Sequence, residues 1–188
     1  MAAVSTAGYT YKWPRPAVTV DTLIFNVHGE TKDLRILLIE RGGEPFKGSW
    51  ALPGGFVDQD EDLDVAAARE LEEETSTTGL PLVQFGAFGK PGRDPRGHTV
   101  TVAYYAFLPD AALGGVKAGD DAKTTAWLSA KDVASSSFAF DHADVIAAGA
   151  ARVQADLALG KVDKPSSPDL AAALEEGLAA IVKGGQSK

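Results

Sequence analysis

The chain has 188 residues, no cysteine, and 26 acidic against 18 basic side chains, which gives a formal net charge of −8. Without cysteine it can form no disulfide and no thiolate metal site, and its acidic balance argues against non-specific binding of nucleic acid while favouring cation cofactors. No run approaches the roughly 20 apolar residues of a membrane span, and the length suits one domain.

Residues 1–15 predict an N-terminal arm. The stretch is mainly small and polar with some aromatic residues, and it has neither a signal-peptide core nor an arginine-rich targeting pattern, so we expect a cytoplasmic protein. From Pro16, two apolar, β-branched runs separated by turn residues at 28–33 predict a β-hairpin. Asp21 is unusual inside the first run, and we expect it to bond to neighbouring backbone or to an arginine.

A glycine-rich segment separates the hairpin from the next helix. From Gly43 to Ser49 its spacing resembles a phosphate-binding P-loop, but no lysine precedes the serine and a strand follows, so we reject a P-loop. After Gly55, an acidic loop leads into a run of alanine, leucine and glutamate, which are good helix formers. Asp62 or Asp64 can cap the start of this helix.

Three carboxylates share or border the buried face predicted for this helix. Leu63 belongs to its apolar stripe, and at the helical period Glu70 and Glu74 fall within about 20° of it, with Glu73 on the flank. Glu72 points to water. Because buried charges are normally paired or metal-bound, and hard divalent cations prefer oxygen ligands, the spacing favours a metal site over a solvated acidic helix.

The same stretch resembles the Nudix box, the signature of hydrolases that act on nucleoside diphosphates linked to another moiety. Gly55, Glu61 and the run Arg69–Glu74 match its spacing. Beyond the run, Ser76-Thr77 stand where the family has glycine and an apolar residue, and Gly79-Leu80 supply that pair three residues later. This pattern resembles a short insertion that extends the helix end, and we expect it to alter the C-cap rather than the chemistry.

The resemblance implies a metal-dependent site. One to three Mg²⁺ or Mn²⁺ ions would be held by the box glutamates and a neighbouring carbonyl, with an arginine orienting Glu73 and a general base that is either a box glutamate or an acid in a later loop. The metal ligands are then Gly54, Glu70, Glu73 and Glu74, and the catalytic candidates are Arg69, Glu73, Glu74 and Asp121. Asp120 is the alternative acid in that loop, and a plain surface turn is the alternative for both.

Beyond the box, two predicted strands flank the loop PGRDPRG at residues 91–97. Arginine can grip a diphosphate bidentately, so Arg93, Asp94 and Arg96 are candidate substrate-binding residues; the alternative is a salt-bridge knot among the three without a ligand. Pro95, fifteen residues after Leu80, resembles a mark of the ADP-ribose pyrophosphatase branch of the family.

Arg41 is a further substrate-binding candidate. In Nudix enzymes a basic residue near this point often contacts the substrate phosphates. As a structural residue it would instead pair with Glu40 or Glu44, and the sequence leaves both readings open.

The remaining chain predicts a loop and a strand over residues 116–128 and then two helices. The first helix takes in the run from Phe138 onward, with Asp141 in the capping position and His142 in a structural role, because no second histidine stands at metal spacing. The second starts near Pro168 with apolar residues at helical spacing. It is expected to pack on its own domain or on a partner subunit, which leaves a homodimer open.

The predicted element order and the resemblance together imply an α/β (α+β) fold, a Nudix-type α/β/α sandwich with a mixed β-sheet over residues 16–160, followed by a linker and C-terminal helix over residues 161–188. The implied activity is hydrolysis of ADP-ribose to AMP and ribose 5-phosphate, with a small-molecule nucleotide as substrate and no nucleic-acid or membrane partner. The alternatives are a Nudix hydrolase for triphosphates such as 8-oxo-dGTP or for dinucleoside polyphosphates, and a non-enzymatic sensor of ADP-ribose or related metabolites.

Overall fold

The computed structural model describes residues 13–119 and 122–185. Its strands are β1 (Ala17–His28), β2 (Asp33–Arg41), β3 (Trp50–Ala51), β4 (Gly54–Phe56), β5 (Val83–Phe88), β6 (Thr99–Phe107) and β7 (Ala122–Ser129). Its α-helices are α1 (Leu63–Thr75), α2 (His142–Ala158) and α3 (Pro168–Gly185), with short 3₁₀ helices at Asp110–Gly115 and Val133–Ser135.

The strands form one mixed sheet in which β1 is central. β1 and β2 pair antiparallel, with Phe25 opposite Ile36, which confirms the predicted hairpin. β1 also runs parallel to β6 and antiparallel to β4, while β7 pairs with β2 and β5 with β6. Because helices pack on both faces of the sheet, this central strand is shielded from water on both sides, which explains its nearly continuous apolar sequence.

Helices cover both faces of the sheet, as the predicted sandwich requires. Side chains alternate along a strand, so Leu23 and Phe25 of β1 pack with α2 and α3, while Val20 and Ile24 face the side of α1. All four side chains are completely buried. The box helix is thereby fixed against the strand from which Asp21 projects.

Helix α3 packs on its own domain. Leu174, Leu178 and Ile181 are each at most 1% exposed and belong to the main core. Gly177 lies so close to β2 that a Cβ there would stand 2.4 Å from the Cβ of Leu34. Of the two expected arrangements, packing on its own domain and packing on a partner subunit, the structure shows the first. The domain boundary at residue 160 stays a prediction.

The end of α1 differs from the expected insertion. The helix stops at Thr75, before the extra residues, and Ser76 takes the left-handed conformation, with φ of 57°, that a glycine would normally occupy. Its N–H donates to the carbonyl of Glu72, and Thr77 is buried at the family's apolar position. The expected extension of the helix is wrong, whereas the expected change of C-cap is confirmed.

The other helix boundaries also refine the predictions. Asp62, rather than Asp64, caps α1, because its carboxylate accepts from the N–H of Asp64. Helix α2 begins at His142, directly after the predicted cap at Asp141, so only the inclusion of residues 138–140 in the helical run is wrong. Within the described residues, no helix is long and apolar enough to cross a membrane.

Candidate active site

One polar cavity of about 710 Å³ gathers most of the predicted site residues. Its lining comes from β1, β2, the segment after β2, β4, α1, the β5–β6 loop and the start of α2. The predicted residues among that lining are Arg41, Gly54, Arg69, Glu70, Arg93, Asp94, Arg96 and Glu74. Side chains far apart in sequence therefore converge on a space of the size that small ligands occupy.

Among the described residues, Glu73 is the one predicted site residue that does not line the cavity. Glu73 is solvent-exposed, with 57% of its side chain accessible, because it lies far enough round α1 to leave the packed face. Its expected position at the border of the buried face is wrong, and its role as a metal ligand stays a prediction. Asp121 and the alternative acid Asp120 lie outside the described residues.

Arg69 connects the acids of the box. Its Nε and Nη2 donate to the two oxygens of Glu61, each at 2.8 Å, and its Nη1 donates to Glu70 at 2.8 Å and to Glu73 at 3.1 Å. These bonds from Arg69, with a further one from a backbone N–H, lower the pKa of Glu61 to about 2. Glu61 therefore braces the arginine as a permanent anion, and Arg69 orients two of the predicted metal ligands.

Glu74 is the most deeply buried acid of the box, with 8% of the residue exposed. One hydrogen bond holds it, from the N–H of Gly54 to Oε2 at 2.8 Å. Burial, with the nearby charges of Glu70 and Asp21, raises its pKa to about 8 despite that bond. Burial raises the pKa of Glu70 as well, although Arg69 opposes the change. A bound cation would offset this cost of burial and stabilise the charged forms of both acids, so the site favours one.

Close packing explains the glycine pair before the acidic loop. A Cβ on Gly54 would lie 2.1 Å from the carbonyl oxygen of Val20, and one on Gly55 would lie 2.5 Å from both carboxylate oxygens of Glu70. A side chain on Gly54 would push β4 away from β1, and one on Gly55 would force the Glu70 carboxylate to move. The pair therefore lets the backbone approach the carboxylates directly.

The oxygen atoms of the site suit a hard divalent cation, but among the described residues they do not yet converge into a complete set of metal ligands. Carboxylate and carbonyl oxygens are the ligands that Mg²⁺ and Mn²⁺ prefer, and the charge at Glu70 and Glu74 is only partly balanced. In the part of the chain that the structure describes, no three acid or histidine side chains converge at metal-binding distance. Arg69 holds Glu70 and Glu73 instead, so a metal would compete with the arginine for them.

The loop arginines differ in what they contact. The side chain of Arg93 is 4% exposed and donates from Nε and Nη2 to both oxygens of Asp141 at 2.6–3.1 Å. Arg96 is 41% exposed and donates from Nε and Nη2 to Asp94, which is itself buried. Of the alternative salt-bridge network within the loop, the Arg96–Asp94 pair is present, whereas Arg93 pairs with Asp141 outside the loop. The substrate-binding roles of Arg93, Asp94 and Arg96 stay predictions.

The two acids that pair with the loop arginines are Asp94, which is buried, and Asp141, which is partly buried. Burial tends to raise the pKa of Asp94, but the hydrogen bonds from Arg96 outweigh it and the pKa is lowered. Asp141 stands at the N-cap of α2, which confirms its predicted position, although its carboxylate is bound to Arg93 and makes no capping hydrogen bond.

His142 has the structural role that was predicted. It is buried, and its Nδ1 accepts a hydrogen bond from the N–H of Leu52 at 2.9 Å. Burial lowers its pKa, so the neutral ring carries its proton on Nε2, which lies 3.5 Å from Oδ1 of Asp21. The histidine therefore ties the start of α2 to the segment that leads into β4.

Asp21 was flagged in the sequence as unusual and now has partners. It is 6% exposed and lies between His142 and Arg93, whose Nη2 is 3.9 Å away. Asp21 and His142 line the cavity, as do Phe56 and Phe140, and none of the four was among the predicted site residues. For Asp21, the signal in the sequence was an acidic residue within an otherwise apolar strand. No comparable signal marked the aromatic residues.

Arg41 contacts neither predicted acid. Its Nε donates to the carbonyl of Pro45 at 2.8 Å, while Nζ of Lys123 donates to the carboxylate of Glu40 at 2.7 Å. The guanidinium of Arg41 lies over the ring of Phe140, 4.8 Å from its centroid. The pairing with Glu40 or Glu44 is therefore not observed, and Arg41 lines the cavity.

Comparison with known proteins identifies the architecture. The family model described as the NUDIX domain matches residues 15–149. A protein of Methanocaldococcus jannaschii named ADP-ribose pyrophosphatase is 41% identical over 131 residues, which cover 70% of this chain and 71% of the relative. A protein of Acinetobacter baylyi named ADPR responsive transcriptional repressor NtrR is 38% identical over 143 residues, covering 75% of this chain and 56% of the relative.

A solved structure agrees in fold. The NUDIX domain of Shewanella oneidensis NrtR in complex with ADP ribose superposes with a TM-score of 0.69 at 32% identity, covering 78% of this chain and 95% of that one. The mixed sheet with helices on both faces is thus an arrangement that this chain shares with a domain that binds ADP ribose.

Proposed function

The chain belongs to the Nudix family, and on that premise we propose that it hydrolyses the diphosphate linkage of ADP-ribose to give AMP and ribose 5-phosphate. The observation that carries the proposal is a single cavity lined by buried carboxylates of the box helix and by arginines from other segments. The relative named ADP-ribose pyrophosphatase and the structure in complex with ADP ribose support this choice of substrate.

The charges of the cavity suit a diphosphate. We refer to Gly54, Glu70 and Glu74 as the acidic set and to Arg41 and Arg96 as the basic set. The basic set can donate to the phosphate oxygens, because arginine matches their geometry and keeps its charge. The acidic set repels those oxygens unless a cation lies between them. The two sets together therefore select an anion that arrives with a divalent cation.

We infer that this cation is Mg²⁺ or Mn²⁺, held by the acidic set together with Glu73. When bound, such an ion neutralises phosphate oxygens and lowers the pKa of a coordinated water. The protein's own groups prepare the site: the N–H of Gly54 fixes Glu74, and Arg69 orients Glu70 and Glu73. The general base remains a choice between a box glutamate and Asp120 or Asp121.

A sensor of ADP-ribose is the second candidate. It is favoured by the similarity to the A. baylyi protein, whose name describes a repressor responsive to ADPR. This chain spans 56% of that relative. Binding of ADP-ribose without turnover would distinguish a sensor from a hydrolase.

A substrate panel tests the proposal. ADP-ribose, NADH, diadenosine polyphosphates and 8-oxo-dGTP are each incubated with Mg²⁺ or Mn²⁺, and the nucleotide products are separated by chromatography. We expect AMP and ribose 5-phosphate from ADP-ribose at the highest kcat/KM. Release of pyrophosphate from the triphosphate, with intact ADP-ribose, would instead favour the nucleoside triphosphate alternative.

A further inference from the structure

Two guanidinium groups in the cavity share one aromatic ring. The Cζ atom of Arg41 lies 4.8 Å from the centroid of the Phe140 ring, and that of Arg96 lies 5.5 Å from it. Arg96 also lies 4.8 Å from the centroid of Phe56. A cation within about 6 Å of an aromatic ring is attracted to it. Phe140 therefore supports two like charges that would otherwise move apart.

Both arginines keep donors free for a ligand. Arg41 uses Nε for the carbonyl of Pro45, and Arg96 uses Nε and Nη2 for Asp94. Among the described residues, the remaining nitrogens, both Nη atoms of Arg41 and Nη1 of Arg96, make no hydrogen bond. The contacts that fix the two groups therefore leave donors for phosphate oxygens.

The two charges act on each other. Burial, followed by the positive charge of Arg96, lowers the pKa of Arg41. Asp94 balances Arg96 directly, but no carboxylate in the described part of the chain forms an ion pair with Arg41. An anion with charge on two adjacent groups, such as a diphosphate, would relieve the repulsion by contacting both.

The backbone holds the Phe140 ring in an unusual conformation. Its φ of 54° lies in the left-handed region, which bulky residues rarely adopt. The segments on either side are tied down: the N–H of Ala139 donates to the carbonyl of Trp50, and Asp141 is gripped by Arg93. Strained residues persist only where their surroundings fix them, and they cluster at ligand-binding sites.

We propose that Phe140 is a positioning residue, which holds Arg41 and Arg96 together so that they bind the two phosphoryl groups of a nucleoside diphosphate as one unit. The part that this arrangement would play in hydrolysis rests on the proposed function. The grip on a diphosphate can nevertheless be measured without turnover.

Phe46 provides a matched control. Like Phe140 it has a left-handed backbone, with φ of 62°, and it packs edge-on against Phe140 with the centroids 4.9 Å apart. The two guanidinium groups lie over Phe140 and Phe56 instead. Phe46→Leu therefore removes an aromatic contact in the same strained setting, and among the described residues it removes no cation–ring contact.

The experiment compares Phe140→Leu, Phe140→Tyr and Phe46→Leu. Calorimetry measures the binding of ADP and of AMP, which differ by one phosphoryl group. We expect Phe140→Leu to weaken ADP binding about tenfold and AMP binding much less, because only ADP engages both arginines. Phe140→Tyr, which keeps the ring, should bind ADP normally, and so should Phe46→Leu. In hydrolysis assays, Phe140→Leu should raise KM with little change in kcat.

A double-variant background separates positioning from general packing. If Phe140 acts through the two arginines, Phe140→Leu should cause no further loss of ADP affinity once Arg41→Gln and Arg96→Gln are present. A full tenfold loss in that background would overturn the proposal. So would equal losses for AMP and ADP, an equal loss in Phe46→Leu, or failure of Phe140→Tyr to retain binding while remaining folded by thermal melting.

The same measurements separate this inference from the proposed function. If ADP-ribose is not cleaved but Phe140→Leu selectively weakens ADP binding, the proposed hydrolysis fails and the positioning role stands. If ADP-ribose is cleaved and Phe140→Leu leaves both KM and ADP binding unchanged, the positioning role fails and the hydrolysis stands.

Discussion

The acidic and basic sets of the cavity are built in different ways. Glu70 and Glu74 come from one turn of α1, so the helical period fixes their relation, and Gly54 lies 16 residues before Glu70 in the same stretch of chain. Arg41 and Arg96 come from segments more than fifty residues apart, and both lie over the ring of Phe140. The acidic set is thus encoded locally, whereas the basic set depends on the whole fold.

The largest expected effect concerns the acidic set. Glu74→Gln keeps the acceptor for the N–H of Gly54 but removes the charge, and we expect kcat to fall by about a thousandfold while the fold is unchanged. Steady-state kinetics and circular dichroism measure the two properties. Glu72→Gln, on the exposed face of the same helix, is the matched control and should retain normal activity.

Glu73→Gln sharpens this prediction. Glu73 is exposed and bound to Arg69, so a loss comparable to that of Glu74→Gln would mean that it joins the acidic set when metal binds. Near-normal kcat in Glu74→Gln would contradict the assignment of the metal to this set.

The next effect concerns stability on the basic side of the cavity. Arg93, which is buried, forms an ion pair with Asp141, which is partly buried, so Arg93→Met should lower the free energy of unfolding by about 3 kcal/mol, because it leaves Asp141 without its partner. Urea denaturation measures the change. Adding Asp141→Leu should recover part of it, and no recovery would show that the pair itself is not the cause.

The smallest effect concerns the C-cap of the box helix. Because Ser76 has a left-handed backbone, Ser76→Gly should stabilise the protein by about 1 kcal/mol, with kcat/KM unchanged. Ser76→Ala offers no such relief and is the control. Thermal unfolding measures the difference, and a destabilised Ser76→Gly would contradict the account of this cap.

The difference between the two sets also explains what the sequence could predict. Helical periodicity placed Glu70 and Glu74 in the cavity, but it could not decide which way Glu73, on the flank, would turn. That depended on packing and on Arg69. The position of Gly79-Leu80, three residues later than in the family pattern, suggested an insertion after Glu74. Nothing in the sequence indicated that Ser76 itself would take the left-handed conformation.

Long-range contacts account for the remaining differences. The sequence identified Arg93 and Arg96 together as candidates. Their environments differ because Asp141, far along the chain, pairs with Arg93 and not with Arg96. Phe140 was assigned to a helix, since its neighbours suit one, and its contact with two arginines depends on the relative positions of three separate segments. Asp21 was noticed as an anomaly, but its partners could be identified only in the folded chain.

The most direct test of the account is a crystal structure of the protein with Mn²⁺ and ADP, in which anomalous scattering locates the metal. We expect the metal on the carboxylates of Glu70 and Glu74, with the diphosphate between it and the guanidinium groups of Arg41 and Arg96. Metal bound away from these carboxylates, or a diphosphate that contacts neither arginine, would contradict it.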